Sequence, residues 1–396
     1  YVFVAGVSKA WRNAWGNLPK ITQAITVETT AAPLQWSFDG GLMNRESLSR
    51  RIAETCGVKV WRCAYLNGCR FPESACFTAV ARGELETIQW ALSINNAWRK
   101  VLCAAAAAGG SLRILQWAHA NDCPWDATTC SEAAGSGNLD ILQWARSRRC
   151  PWDSRTFSKA ASGGHLGIIR WARAHGCGGM DGTTCSEAAG SGHLDIVQWA
   201  RRNECPWDAR TCSKAAGGGH LGILQWARDH NCPWYSTTCS EAAGAGHLDV
   251  LRWARSANCP WDSQTCSRAA EGGHLDVLQW ASAHGCDWNF QTCCSAAGGG
   301  HLELLQWARA NGCPCHEQAA GGAARGGHLD VLEWMQDNHH ILHNGNICAR
   351  AARGGHLHVL RWARVRGFVW DSRVCNGAAA GGHYELFKWA RGNGCP

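Results

Sequence analysis

The sequence predicts an all-α fold, an α-solenoid of about twelve stacked helix-turn-helix repeats, and three observations predict it. A Gly-His step recurs with its histidine at His165, His193, His220, His247, His274, His301, His328, His356 and His383, at spacings of 27 or 28 residues, and Glu84, Ser111 and Asn138 hold the same place in earlier copies. A tryptophan six residues later keeps the beat from Trp90, Trp117 and Trp144 through to Trp362 and Trp389. Around each step the chain reads as a helix, a glycine break, a second helix and a proline stop. A period of this length marks one supersecondary unit that cannot bury its apolar face alone and therefore stacks on its neighbours.

In chain order, residues 1–50 do not repeat and are expected to form an N-terminal capping segment, with the array over residues 51–396. Phe3, Val4, Val7, Trp11 and Trp15 fall at helical spacing, whereas the following stretch, rich in β-branched residues and carrying Pro33, reads as extended. A degenerate first unit begins near Gly57–Cys69 and caps the stack, as terminal repeats must.

The unit Cys205–Asn231 stands for the rest. Asp208, or Thr211 three residues on, is suited to cap a short first helix around Ser213–Ala216, because side-chain oxygens satisfy orphan amides at helix starts. Ala215 and Ala216 let a neighbouring backbone come close, and Gly217, Gly218 and Gly219 end the helix. A second helix starts near His220. Its Leu221, Ile223, Leu224, Trp226 and Ala227 make a broad apolar stripe, leaving Gln225 and Arg228 outside. Asn231-Cys232-Pro233-Trp234 then turns the chain, since proline cannot continue a helix.

The phrase "AAGSGHLDIVQWARRNECPWD" resembles the ankyrin repeat. Ala188 and Ala189 match its Ala-Ala pair, and Gly192, His193 and Leu194 its Gly-His-Leu. Trp199 and Ala200 match its paired leucines, and Glu204–Asp208 its closing turn. The match spans roughly residues 75–395. A 27-residue period is about six shorter than the family's 33. The resemblance therefore implies helix pairs with the projecting hairpin short or missing. It also implies an interaction protein, binding a partner protein on a concave face built from the first helices. The loop tryptophans Trp125, Trp152, Trp207, Trp234, Trp261, Trp288 and Trp370 sit where the family buries a valine, so they are expected in the core. The stretch "VAGVSKAWRNAW" also resembles the last helix of an F-box. That resemblance implies a competing role, recruitment of substrates to a ubiquitin ligase.

Composition narrows the classes. The chain is 46% hydrophobic and 17% charged, which suits a long packed core rather than disorder. The net charge of +7 is spread over many units through arginines such as Arg146, Arg201, Arg228 and Arg255, weak support for an acidic partner. Nucleic acid is disfavoured because Asp140, Asp195, Asp249 and Asp276 interleave with these arginines. No apolar run reaches the 18 residues of a membrane span. The 24 cysteines recur mostly at two places per unit, and equivalent places in stacked units lie about 8 to 10 Å apart. That exceeds the reach of a disulfide, about 7 Å between Cα atoms. Phe157 and Phe368 replace two of them, so reduced, buried thiols and a cytoplasmic or nuclear compartment are expected. The chain starts at Tyr1 and stops at Pro396 midway through another Cys-Pro-Trp-Asp phrase, and reads as a piece of something longer.

No metal, cofactor or catalytic constellation is expected. The repeated histidines lack the convergence that zinc needs and are read as ties to backbone. Cys313-Pro314-Cys315-His316 is read as a degenerate unit, and the glycine runs lack the strand and the Lys-Ser/Thr of a phosphate loop. An alternation of paired units places Glu132, Lys159, Glu187, Lys214, Glu241 and Arg268 at one equivalent position. This ladder of alternating sign is the candidate partner-binding stripe. Its structural alternative is a set of rung-to-rung ion pairs worth a few tenths of a kcal/mol each. Nothing in the sequence indicates a homo-oligomer.

Overall fold

A computed structural model of the chain describes residues 52–54, 56–66, 69–94, 98–338, 346–368 and 370–395. The N-terminal segment 1–50, with its F-box-like phrase, lies outside the described residues. The described residues form α-helices, a short 3-10 turn at Trp98 and connectors, with no strand among them. The chain divides into two compact units, one ending at Met180 and one beginning at Asp181. Among the described residues each is an α-solenoid of helix pairs, four pairs in the first unit and eight in the second.

In the first unit the first helices Ser74–Ala81, Arg99–Ala108, Ala127–Gly135 and Arg155–Ser162 pack each on the next. Ahead of them Val58–Leu66 packs on the second helix Leu85–Ile94. It carries fully buried Trp61, which stacks on Phe71 at 4.2 Å. In the second unit the same succession runs from Gly182–Gly190, Ala209–Gly217 and Ser236–Gly244 to Ser372–Ala380. Every second helix leans on its own first helix, as Leu221–Asp229 does on Ala209–Gly217.

The local signals explain these boundaries. Asp208 caps Ala209–Gly217, its carboxylate accepting from the Arg210 N–H at 2.9 Å. Asp126, Asp181, Asp262, Asn289 and Asp371 do the same in their repeats. The first helix is thus longer than expected, and Thr211 is not the cap but a fully buried residue inside it. Two glycines of the break have their own cause. A Cβ on Gly218 would stand 2.4 Å from the Gly190 carbonyl, and Gly219 has φ +73°, whereas a Cβ on Gly217 would meet Glu241 at an ordinary 3.4 Å. At Gly218 the neighbouring helix end therefore lies closer than a Cβ permits.

The second helix buries Ile223, Leu224 and Ala227. Leu221 and Trp226 are only half-buried, and Gln225 and Arg228 are half-buried too rather than outside. The stripe is narrower than the apolar pattern implies, because the tryptophans line its edge. Each buried Ile or Leu is worth about 1.5 to 3 kcal/mol before entropy is counted. The described cysteines form no disulfide and most are buried, with Phe157 and Phe368 equally buried in their places. Burial raises the Cys76 and Cys103 thiols to about 12, which keeps them protonated and inert at neutral pH.

Candidate interaction groove

Along the first-helix face of the second unit runs an open groove of about 1020 Å³. It arises because Ala215 and Ala216 turn inward and are fully buried, which points Lys214 outward, and the same holds for Glu187, Glu241 and Arg268 in their repeats. All four line the groove, with Arg210 and Tyr235 beside them. Glu132 and Lys159 hold the equivalent place in the first unit and pair with each other at 2.9 Å.

The ladder is built of ion pairs between neighbouring repeats. Lys214 Nζ lies 3.4 Å from Glu187 Oε1, and Arg268 reaches Glu241 at 2.9 Å and Glu271 at 3.3 Å. The hydrogen bond to Glu241, then that to Glu271, holds the Arg268 proton more firmly than usual. These side chains are roughly half exposed, so solvent screens them and each pair contributes well under 1 kcal/mol. Arg210 is looser still, 75% exposed and 3.9 Å from Asp208.

Sequence reasoning missed Tyr235. It occupies the capping place that Asp181, Asp208 and Asp262 fill in neighbouring repeats, makes no side-chain cap, and is 62% exposed in the groove. The signal was available: a tyrosine where the phrase otherwise has Asp or Asn.

The loop tryptophans correct a second expectation. Trp125, Trp152, Trp207, Trp234, Trp261, Trp288 and Trp370 are half-buried, not in the core. Arg201, Arg228 and Arg255 lie over Trp207, Trp234 and Trp261 at 4.2 to 4.3 Å. Each of these indoles meets the next helix tryptophan edge-on, as Trp207 meets Trp226 at 5.8 Å. The same arginines donate to the carbonyls of Cys205, Cys232 and Cys259. An indole needs one face packed and its edge wet, so these wide rings sit at the rim under an arginine rather than in the core.

The step histidines bind backbone across the repeat boundary. The Nε2 of His220, His301, His328 and His356 reaches the carbonyls of Gly190, Glu271, Gly298 and Arg325 at 2.9 to 3.2 Å. Among the described residues no cluster of His, Cys, Asp and Glu is arranged to hold a metal ion. No described helix is long and apolar enough to cross a membrane.

Fold and groove together define the class: an all-α solenoid of stacked helix pairs presenting a polar first-helix face. No family model matches the chain, and no curated protein matches it. Solved structures do match. One is the human ASB11 ankyrin repeat domain, at 16% identity and a TM-score of 0.33, the match covering 40% of this chain and 84% of that one.

Proposed function

We propose that the chain is a non-catalytic scaffold that binds a partner protein along the first-helix groove of its second unit. One observation carries this: Glu187, Lys214, Glu241 and Arg268 line a single groove in which Tyr235 stands exposed in place of a helix cap. Losing a cap costs about 1 kcal/mol, and exposing a large ring gains nothing locally. Such departures from a local rule concentrate at functional sites. Tyrosine is among the residues that anchor protein interfaces, giving a rigid ring with a polar tip. The alternating charges around it fix the register of a polar partner segment more than its affinity.

The partner is protein rather than nucleic acid because Arg201, Arg228 and Arg255 already cover indoles and donate to backbone. The test is affinity capture with three baits. They are the parent, Tyr235→Asp, and a variant with Glu132, Lys159, Glu187, Lys214, Glu241 and Arg268 all changed to Ser. Tyr235→Asp restores the repeat's own cap, so a binding loss cannot come from unfolding. A protein held by the parent and weakened about thirtyfold by Tyr235→Asp supports the reading, the size expected for an anchor residue. Equal capture by all three folded baits contradicts it.

A further inference from the structure

The groove of the second unit has a repeat distance. Its first helices Gly182–Gly190, Ala209–Gly217, Ser236–Gly244 and Ser263–Gly272 pack each on the next, and in turn they contribute Glu187, Lys214, Glu241 and Arg268. Packed helices lie about 8 to 10 Å apart, so negative and positive charge alternate at about 9 Å per rung. Lys214 pairs with Glu187 and Arg268 with Glu241, yet all four side chains remain roughly half exposed. Each carboxylate has lone pairs beyond those its rung partner uses, and each cation has further N–H donors. A second layer of charges can therefore join the ladder without breaking it.

A partner segment fits this ladder where its side chains return to one face at the rung spacing. A β-strand returns every second residue, about 6.7 Å on. It also seeks a sheet edge, and there is no strand among the described residues to offer one. An α-helix is too wide. The groove volume of about 1020 Å³, spread over three rung spacings, leaves a cross-section of about 40 Å². That is half or less of what a helix about 10 to 12 Å across fills. A polyproline II segment is slim, makes no hydrogen bonds of its own, and returns every third residue, about 9.3 Å on. Its period is that of the rungs.

Resting on the reading of this groove as the partner site, we infer that its occupant is a polyproline II segment of a partner protein in which basic and acidic residues alternate at every third position. Basic residues face Glu187 and Glu241, and acidic residues face Lys214 and Arg268. Tyr235 directly precedes the helix that carries Glu241, and its exposed ring gives the segment's proline an aromatic platform. Each exposed ion pair adds little alone, so selectivity comes from a spacing that stays in step over all four rungs.

The test titrates the full chain into fluorescently labelled peptides at low ionic strength and reads their anisotropy. Lys-Pro-Pro-Glu-Pro-Pro-Lys-Pro-Pro-Glu should bind about tenfold tighter than Lys-Pro-Glu-Pro-Lys-Pro-Glu-Pro-Pro-Pro, which has the same composition with its charges at every second residue. Lys214→Glu, a change to the residue type that Glu187 and Glu241 already place in neighbouring repeats, should weaken the first peptide about fivefold. Replacing that peptide's first glutamate by lysine should restore binding to the Lys214→Glu chain, whereas the same charges at every second residue should not. Equal affinity for the two spacings, or no binding of either peptide, would overturn the proposal. Partner capture that Tyr235→Asp abolishes, with neither peptide bound, overturns this segment chemistry and leaves the groove reading standing.

Discussion

Thr211 shows what the repeat conceals at the scale of one residue. With Thr129, Thr156, Thr184, Thr238, Thr265 and Thr292 it forms a recurrent set of buried hydroxyls that have no hydrogen-bond partner. In the last repeat Val374 holds this place, fully buried. Thr211→Val should therefore stabilise the chain by about 1 kcal/mol, since it removes a desolvated polar group at nearly constant shape. Urea unfolding with an unchanged slope would show it. Glu204 offers a second case. It sits at φ +61°, where Gly176, Gly285 and Gly312 stand in other repeats, and a left-handed conformation costs a side chain about 1 to 2 kcal/mol. Glu204→Gly should raise the thermal midpoint, although glycine's larger unfolded-state entropy offsets part of the gain. Both residues could be located from the sequence. Their energies could not, because neither burial of a hydroxyl nor the sign of φ is written in residue spacing.

At the scale of the helix pair, the Gly-His step holds successive repeats together. Gly218→Ala drives a methyl to 2.4 Å from the Gly190 carbonyl and 2.7 Å from the His220 ring. It should cost about 1 to 3 kcal/mol, as overpacking does, by equilibrium unfolding. His356 adds a pH dependence. Burial first, then the nearby His358, His328 and His383, lower the His356 pKa from 6.5, opposed by its hydrogen bond to Arg325. Because the folded pKa lies below the unfolded one, this contribution is complete above pH 6.5 and is lost as pH falls through the folded value. Thermal melts at pH 7.5 and 5.5 should show lower stability at the acid point. His356→Asn should flatten the difference, since Asn138 already makes a cross-repeat bond of this kind, to the Ala107 carbonyl at 3.2 Å. The helix pairs, glycine break and histidine tie were legible because each leaves a periodic mark. The loop tryptophans were misplaced in the core because a valine's place was taken to imply a valine's depth, and an indole seeks the rim under an arginine.

At the scale of the whole molecule, each unit is a succession of near-identical interfaces, so its stability is a sum of repeats and its individuality lies in the exceptions. The charge ladder Glu187, Lys214, Glu241 and Arg268 was visible as an alternation, and these four residues line one groove. Tyr235 emerged only against the structure, since a single departure from a phrase carries no meaning until its surroundings are known. The measurement that tests the central claim most directly is site-specific photo-crosslinking in the native lysate. A photoreactive residue is placed either at Tyr235 in the groove or at Asp249, exposed on the second helix Leu248–Ser256. The account expects one partner protein to crosslink from position 235 and not from 249. A partner crosslinked from 249 and not from 235 would contradict it.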